Sequence, residues 1–333
     1  MLLDANVVGH LDTISRRGSS FDEKNVQNRV ADLVARLSEN VFVMPGLGAA
    51  ESLMRRKPGI REASNYSRRS ANAMRLLVDN RRSLQAWSQG SDVLPDPQHP
   101  NDGESGNGVP EADLRIVREN LILPSYAMVL KAYQLFLERR DPLVAFGSLA
   151  LFAAELFGRG SREVTLGALL LAGNSPGREM ALNIMKLRQE KCLDSTLDAL
   201  WNTSFDLTYS RIATMPSLPE LRGLIPQPAV FVTDDKHLGK FLALVQPVGA
   251  MSHNHGAGLT ADLVTFENLV SENLADGVAQ IVSRGNAEAS SETTDLELIG
   301  RIRRYKSRQY IQQLESWFAD RYPESSLGTT SGD

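Results

Sequence analysis

Cysteine is almost absent. Cys192 is the only one in 333 residues, so neither an intramolecular disulfide nor a cysteine-based zinc cluster can form, and a reducing cytoplasm is the expected setting. Long apolar runs are missing too. The longest charge-free stretch, residues 241–261, carries Gln, Pro, Ser, Asn, Gly and two His, and the more apolar run 142–154 is too short for a bilayer. No membrane span is expected. The opening MLLDANVVGHLD has no basic region ahead of its apolar residues and meets Asp4 at once, which does not fit a secretory signal. Nor is there surplus positive charge. At a net charge of −4, any nucleic acid has to be met by local basic patches. What remains is ordinary: 42% hydrophobic and 23% charged residues exclude collagenous, wholly disordered and disulfide-scaffold classes. The length exceeds a typical domain of about 100–200 residues, predicting one elaborated domain or two modest ones.

Leu2-Leu3 ahead of Asp4 reads as the end of a short buried strand, and Val7, Val8 and Leu11 open a helix after it. Ser20 and Glu23 have capping-box spacing, and Val26, Val30, Leu33, Val34 and Leu37 then repeat at helical intervals up to Asn40. Val41–Met44, closed by Pro45-Gly46, predicts a second buried strand. Residues 62–87 can be helical, with a strongly basic surface. Residues 89–111, rich in Gly, Pro, Ser, Asn and Asp, read as a flexible linker. Helical pattern then fills 112–191, broken near Pro124, at Asp141-Pro142, at 158–160 and at 174–177. After another helical stretch over 194–213, Ala229–Val232 predicts a buried strand ending at Thr233-Asp234-Asp235. A short helix over 238–244 and one more strand over 245–250 follow. Helices are expected over 257–283 and 292–322, the last with an apolar stripe of Tyr310, Leu314, Trp317 and Phe318. The order predicts an α/β fold in two pieces, 1–60 and 192–256, flanking a helical insertion over 61–191. C-terminal helices over 257–323 and a disordered tail, 324–333, complete it.

Three acids stand where this reading ends strands or begins helices: Asp4 after Leu2-Leu3, Glu51 after the second strand, and Asp235 after Val230-Phe231-Val232. Beyond the carboxyl ends of parallel strands, carboxylates remote in sequence can converge, and converging carboxylates repel unless a cation lies between them. Hard oxygen donors without cysteine or a clear histidine set suit Mg²⁺ or Mn²⁺, which keep bound waters able to attack phosphorus. Metal-assisted phosphodiester hydrolysis is the chemistry this predicts. Plainer roles compete: Asp4 as a helix N-cap, Glu51 as a surface acid facing Arg55, and Asp234 and Asp235 as turn residues. An aspartyl phosphatase of the dehalogenase type needs an Asp where Asn6 stands. His253-Asn254-His255 reads as loop, Gly46-Leu47-Gly48 lacks a dinucleotide fingerprint, and no phosphate-binding loop ending Gly-Lys-Ser/Thr occurs.

The same residues resemble the motifs of the PIN-domain nucleases. Leu2-Leu3-Asp4-Ala5-Asn6-Val7-Val8 is similar to that family's opening strand with its first metal-binding Asp. Met44-Pro45 followed by Ala50-Glu51-Ser52-Leu53 resembles its second motif, and Phe231-Val232-Thr233-Asp234-Asp235 its last. The resemblance covers 1–57 and about 195–250; a usual member is less than half this length, so it says nothing of the insertion. It implies a three-layer α/β/α fold with a central parallel sheet. It also implies Asp4, Glu51, Asp206 and Asp235 as catalytic ligands of Mg²⁺ or Mn²⁺, with Asn6 and Thr233 orienting them. Asp206, which follows Phe205 and lies nearest the final strand, is preferred as third acid over Asp198 and Asp194. The implied substrate is RNA, cut as a single strand.

Arg55, Arg56, Lys57, Arg68 and Arg69 follow Glu51 closely and can take phosphates without reading bases, although a charge run is commonly a solvated helix face. Arg301, Arg303, Arg304, Lys306 and Arg308 form a second basic stretch. Two other functions fit the sequence. One is a non-catalytic PIN-like protein that binds a protein partner through the insertion or the C-terminal helices; the other is a structure-specific DNA nuclease. Self-association is left open.

Overall fold

The computed structural model describes residues 1–18, 24–37, 41–51, 54, 56, 63–91, 111–157, 161–187, 192–214, 230–252, 258–264, 266, 268–288 and 296–322. Nearly all of the linker expected over 89–111 lies outside the described residues, as do the tail over 324–333, Arg55, Lys57 and His253-Asn254-His255. The chain forms two compact units. Unit 1 comprises residues 1–115, 209–239 and 251–259, and unit 2 comprises 116–208, 240–250 and 260–333.

Unit 1 begins with β1 (Leu2–Leu3), both residues buried. β1 pairs in parallel with β2 (Phe231–Val232), Leu2 opposite Phe231 and Leu3 opposite Val232. On its other side Leu2 makes a single parallel bridge to Met44. The helix α1 (Ala5–Arg17) starts directly at the end of β1, because the Asp4 side chain caps it by accepting from the Val7 N–H at 2.7 Å. Its stripe of Val7, Val8, Leu11 and Ile14 is buried. Gly18, at φ 55°, closes the helix by donating to the Ile14 carbonyl, a conformation that favours glycine. α2 (Lys24–Ala35) buries Val26, Val30 and Val34. The short α3 (Gly46–Ala50) lies hard against β1: a Cβ on Gly48 would stand 2.6 Å from the Leu3 carbonyl oxygen and 2.7 Å from that of Asp4. α4 (Ala63–Met74), a π-helical turn over Arg75–Asp79 and α5 (Arg81–Ser88) follow. α4 packs on α1, and α5 on α2, where Gln27 donates to the Trp87 carbonyl at 2.7 Å.

Unit 2 is built on α7 (Leu123–Leu137), whose residues 124–130 are all buried; α6 (Glu111–Val117) and a π-helical turn over Arg118–Ile122 precede it in the chain. α8 (Pro142–Phe157), α9 (Ser161–Ala172) and α10 (Ser175–Ile184) follow, and α11 (Leu193–Thr214) contributes the Trp201 ring edge-on to Tyr126. After α12 (Lys236–Leu244), β3 (Val245–Ser252) pairs with β4 (Gly258–Val264). Last come α13 (Glu272–Glu288) and α14 (Leu296–Arg321). Leu314 and Phe318 of α14 are buried, the Phe318 ring stacking on Tyr133, while Tyr310 packs on Phe152 and donates to Glu155 at 2.5 Å. Arg304 and Arg308 of the second basic stretch are engaged by Asn120 and Glu119. Among the described residues, no helix is long and apolar enough to cross a membrane.

This architecture corrects the expected α/β class. The chain is predominantly helical, its sheets among the described residues are two-stranded, and no three-layer α/β/α sandwich with a central parallel sheet is formed. The reason lies in run length. Val41–Met44 contributes only the Met44 bridge, with Phe42 59% exposed, and Phe231–Val232 is half-buried where a fully buried strand was expected. Four apolar residues do not by themselves distinguish a strand from any other buried segment, and a parallel sheet needs longer strands covered on both faces. A second correction falls at 257–283, where β4 occupies the first part of an expected helix.

Candidate functional site

The strand ends of unit 1 link two of the expected acids, Asp4 and Asp235, through hydrogen bonds of Thr233. Asp4, 2% exposed, ends β1. One carboxylate oxygen caps α1; the other accepts from the Asp234 N–H at 3.3 Å, and the Thr233 hydroxyl also hydrogen-bonds the group. Burial pushes the Asp4 carboxyl above its ordinary value; the bonds from Thr233, Val7 and Asp234 oppose the rise, and the Asp234 charge adds to it. Among the described residues no basic side chain engages Asp4.

Thr233 links the two strand ends, because its hydroxyl also accepts from the Asp235 N–H at 3.0 Å. The Asp235 carboxylate caps the first turn of α12, accepting from His237 and Leu238 N–H at 2.8 and 3.1 Å. Its neighbour behaves differently: one oxygen of Asp234 binds both His10 of α1, at 3.1 Å, and Arg29 of α2. Glu51 stands half-buried one residue beyond α3, the helix that Gly48 holds against the Asp4 backbone. Asn6 is exposed on the first turn of α1. Asp206 belongs to unit 2, where Lys186 reaches it at 3.2 Å; of the three candidates on α11 it is the buried one, Asp194 and Asp198 being exposed.

Sequence reasoning missed Asp12. Also 2% exposed, it accepts from Asn72 at 2.8 Å, Arg16 at 3.3 Å and Arg68 at 3.4 Å. Arg68, one of the expected phosphate contacts, is therefore turned to a buried acid, and Arg75 to Ser15. Arg56 and Arg69 are half-buried. His10 and Arg29 were missed as well; their partner lies more than two hundred positions away, beyond any local pattern.

Among the described residues, no three His, Cys, Asp or Glu side chains gather closely enough to hold an ion between them. Mg²⁺ does not demand such a cage, since it binds through one or two carboxylates and completes its shell with water and substrate phosphate. A buried carboxylate that no basic side chain engages among the described residues fits that requirement. No protein-family model, curated protein or solved structure matches this chain.

Proposed function

We propose that unit 1 is a metal-dependent phosphodiesterase that cleaves single-stranded RNA, with Asp4 at its centre. The observation carrying this reading is the state of that carboxylate: buried, raised by its burial and met by no basic side chain among the described residues. A carboxylate taken out of water is costly unless paired, and a cation supplied from solution relieves the cost. Asp235, tied to Asp4 through Thr233, or Glu51 of the same unit supplies a second oxygen donor, and either Mg²⁺ or Mn²⁺ suits such a pair. When bound, the ion supplies a water of lowered pKa and neutralises charge developing at phosphorus.

The chain's own residues do the rest. Val7 N–H fixes one Asp4 oxygen, leaving the other beside Asp234 N–H, while Thr233 holds Asp4 and the Asp235 backbone in one register. Such outer hydrogen bonds orient ligand carboxylates. The likeness of the three acidic motifs to PIN-domain nucleases supports the chemistry and the choice of RNA, though not the layered architecture.

The test is a cleavage assay on an end-labelled RNA single strand, with a DNA strand of the same sequence in parallel, beside thermal melts with added Mg²⁺ or Mn²⁺. Cleavage that needs the ion, with a melting temperature raised by it in the unmodified protein but not in Asp4→Asn, supports the proposal. Cleavage insensitive to chelation, or no cleavage with no ion-dependent shift, overturns it and leaves a non-catalytic binding protein; cleavage of DNA alone changes the substrate.

A further inference from the structure

Asp234 is an acid beside the site whose side chain is already engaged. Its one engaged oxygen gathers Arg29 from α2 and His10 from α1, although these lie 205 and 224 positions away. Its backbone N–H meanwhile donates to Asp4. The Arg29 guanidinium is thereby anchored within a single residue's span of the buried carboxylate. Its side chain remains 55% exposed and makes no other polar contact among the described residues. A guanidinium carries five N–H donors in a planar fork that matches phosphate oxygens, so an Arg held by one acid keeps donors for a second anion. Of the basic residues first expected to meet the substrate, Arg68 does not offer this, being bound to buried Asp12.

We infer that Arg29 is the phosphate-binding residue of the strand-end site, and that Asp234 and His10 are positioning residues aiming it at the backbone of a nucleic acid whose scissile ester lies at Asp4. The ligand chemistry is a phosphodiester, contacted at its non-bridging oxygens without reference to the base. The inference rests on the phosphodiesterase reading for the identity of the anion, and its test separates the two.

Binding of a fluorescein-labelled RNA single strand to the full chain is measured by anisotropy in EDTA, where no cleavage occurs, across a series of salt concentrations. Arg29→Gln weakens binding about tenfold and flattens the slope of log affinity against log salt by about 0.7, the loss of one single-strand phosphate contact. Arg29→Lys restores the slope, because the charge is kept, while recovering only part of the affinity. Asp234→Asn weakens binding with the slope intact, since the guanidinium remains but is no longer aimed; a purely structural ion pair would not separate slope from affinity in this way. Should Arg29→Gln fail to fold, the Lys and Asp234→Asn variants still decide it. Unchanged affinity and slope in Arg29→Gln, or in both of the other variants, overturn the inference, as does an absence of RNA binding by the unmodified protein. Cleavage is scored separately with Mg²⁺ added. RNA bound through Arg29 but never cut sinks the phosphodiesterase reading alone, and RNA cut with no Arg29 effect sinks this inference alone.

Discussion

Asp4, which caps α1, and Asp12, two turns into the helix, are equally buried, and their surroundings treat them in opposite ways. Asp12 is met by Arg16, Arg68 and Asn72. Asp4 is met by two backbone N–H groups, one hydroxyl and the negative charge of Asp234. The first environment suits a carboxylate that holds helices together; the second leaves it in want of a cation. Structures carry such local disagreements chiefly where function requires them, so it is the poorly served acid, rather than the well-served one, that marks the candidate site.

The two acids are expected to differ most in their response to loss of charge at Asp4. Asp4→Asn keeps a side chain able to cap α1, so cleavage is expected to fall on the order of a hundredfold or more while the melting temperature holds or rises. A large drop in melting temperature would reduce Asp4 to a structural cap. The reverse holds for Asp12→Ala, which strands the buried Asn72 amide and removes the counter-charge of Arg68. A loss of about 1–3 kcal/mol is expected in urea unfolding, with cleavage by the remaining folded protein unaltered; selective loss of cleavage would exchange the roles of the two acids. Gly48→Ala tests the packing that sets β1 against α3. The added methyl meets backbone at 2.6–2.7 Å, a steric conflict that costs about 1–3 kcal/mol.

The pH dependence sharpens the contrast through its sign. Because the folded-state carboxyl of Asp4 titrates above its ordinary 3.8, the folded state holds the proton more tightly than the unfolded chain. Its contribution to stability is therefore full below that value and is lost as pH rises through the raised one. The advantage of Asp4→Asn over the unmodified protein should grow across that window and disappear in more acidic solution. Glu155 provides the opposite and smallest case. The Tyr310 hydroxyl holds its carboxyl below the ordinary 4.5, so its stabilisation is present above 4.5 and lost as pH falls through the lowered value. At so exposed a pair, Glu155→Gln should cost only a few tenths of a kcal/mol. Chemical denaturation at stepped pH checks both signs.

What the sequence made legible was local. Leu2-Leu3-Asp4 and Phe231-Val232-Thr233 announced themselves as apolar pairs running into polar residues, and these segments do lie side by side in parallel. The extent of the sheet was not legible, because Val41–Met44 has a strand's composition but meets β1 only at Met44. β4 escaped notice since Leu259 and Leu263 are spaced as on a helix. Asp12 carried no signal whatever: within His10-Leu11-Asp12-Thr13 it resembles a surface residue, and its burial is created by Asn72 and Arg68, some sixty positions on. The likeness to the last motif of the PIN-domain nucleases selects Asp235 by its spacing from Thr233, and only the folded chain reveals that Asp234 gathers Arg29 and His10.

The pairing of Leu2 with Phe231 also orders events in time. During synthesis the segment bearing Asp4 leaves the ribosome before its strand partner, which follows only after 229 further positions have been joined. At about 5–20 residues per second, that is an interval of roughly 10–50 s. Throughout it, α1 can form but Asp4 has neither the Asp234 N–H nor Thr233 beside it. A nascent chain therefore cannot assemble the strand-end acids before β2 emerges, and translation products that stop short of residue 231 carry Asp4 on an open helix end.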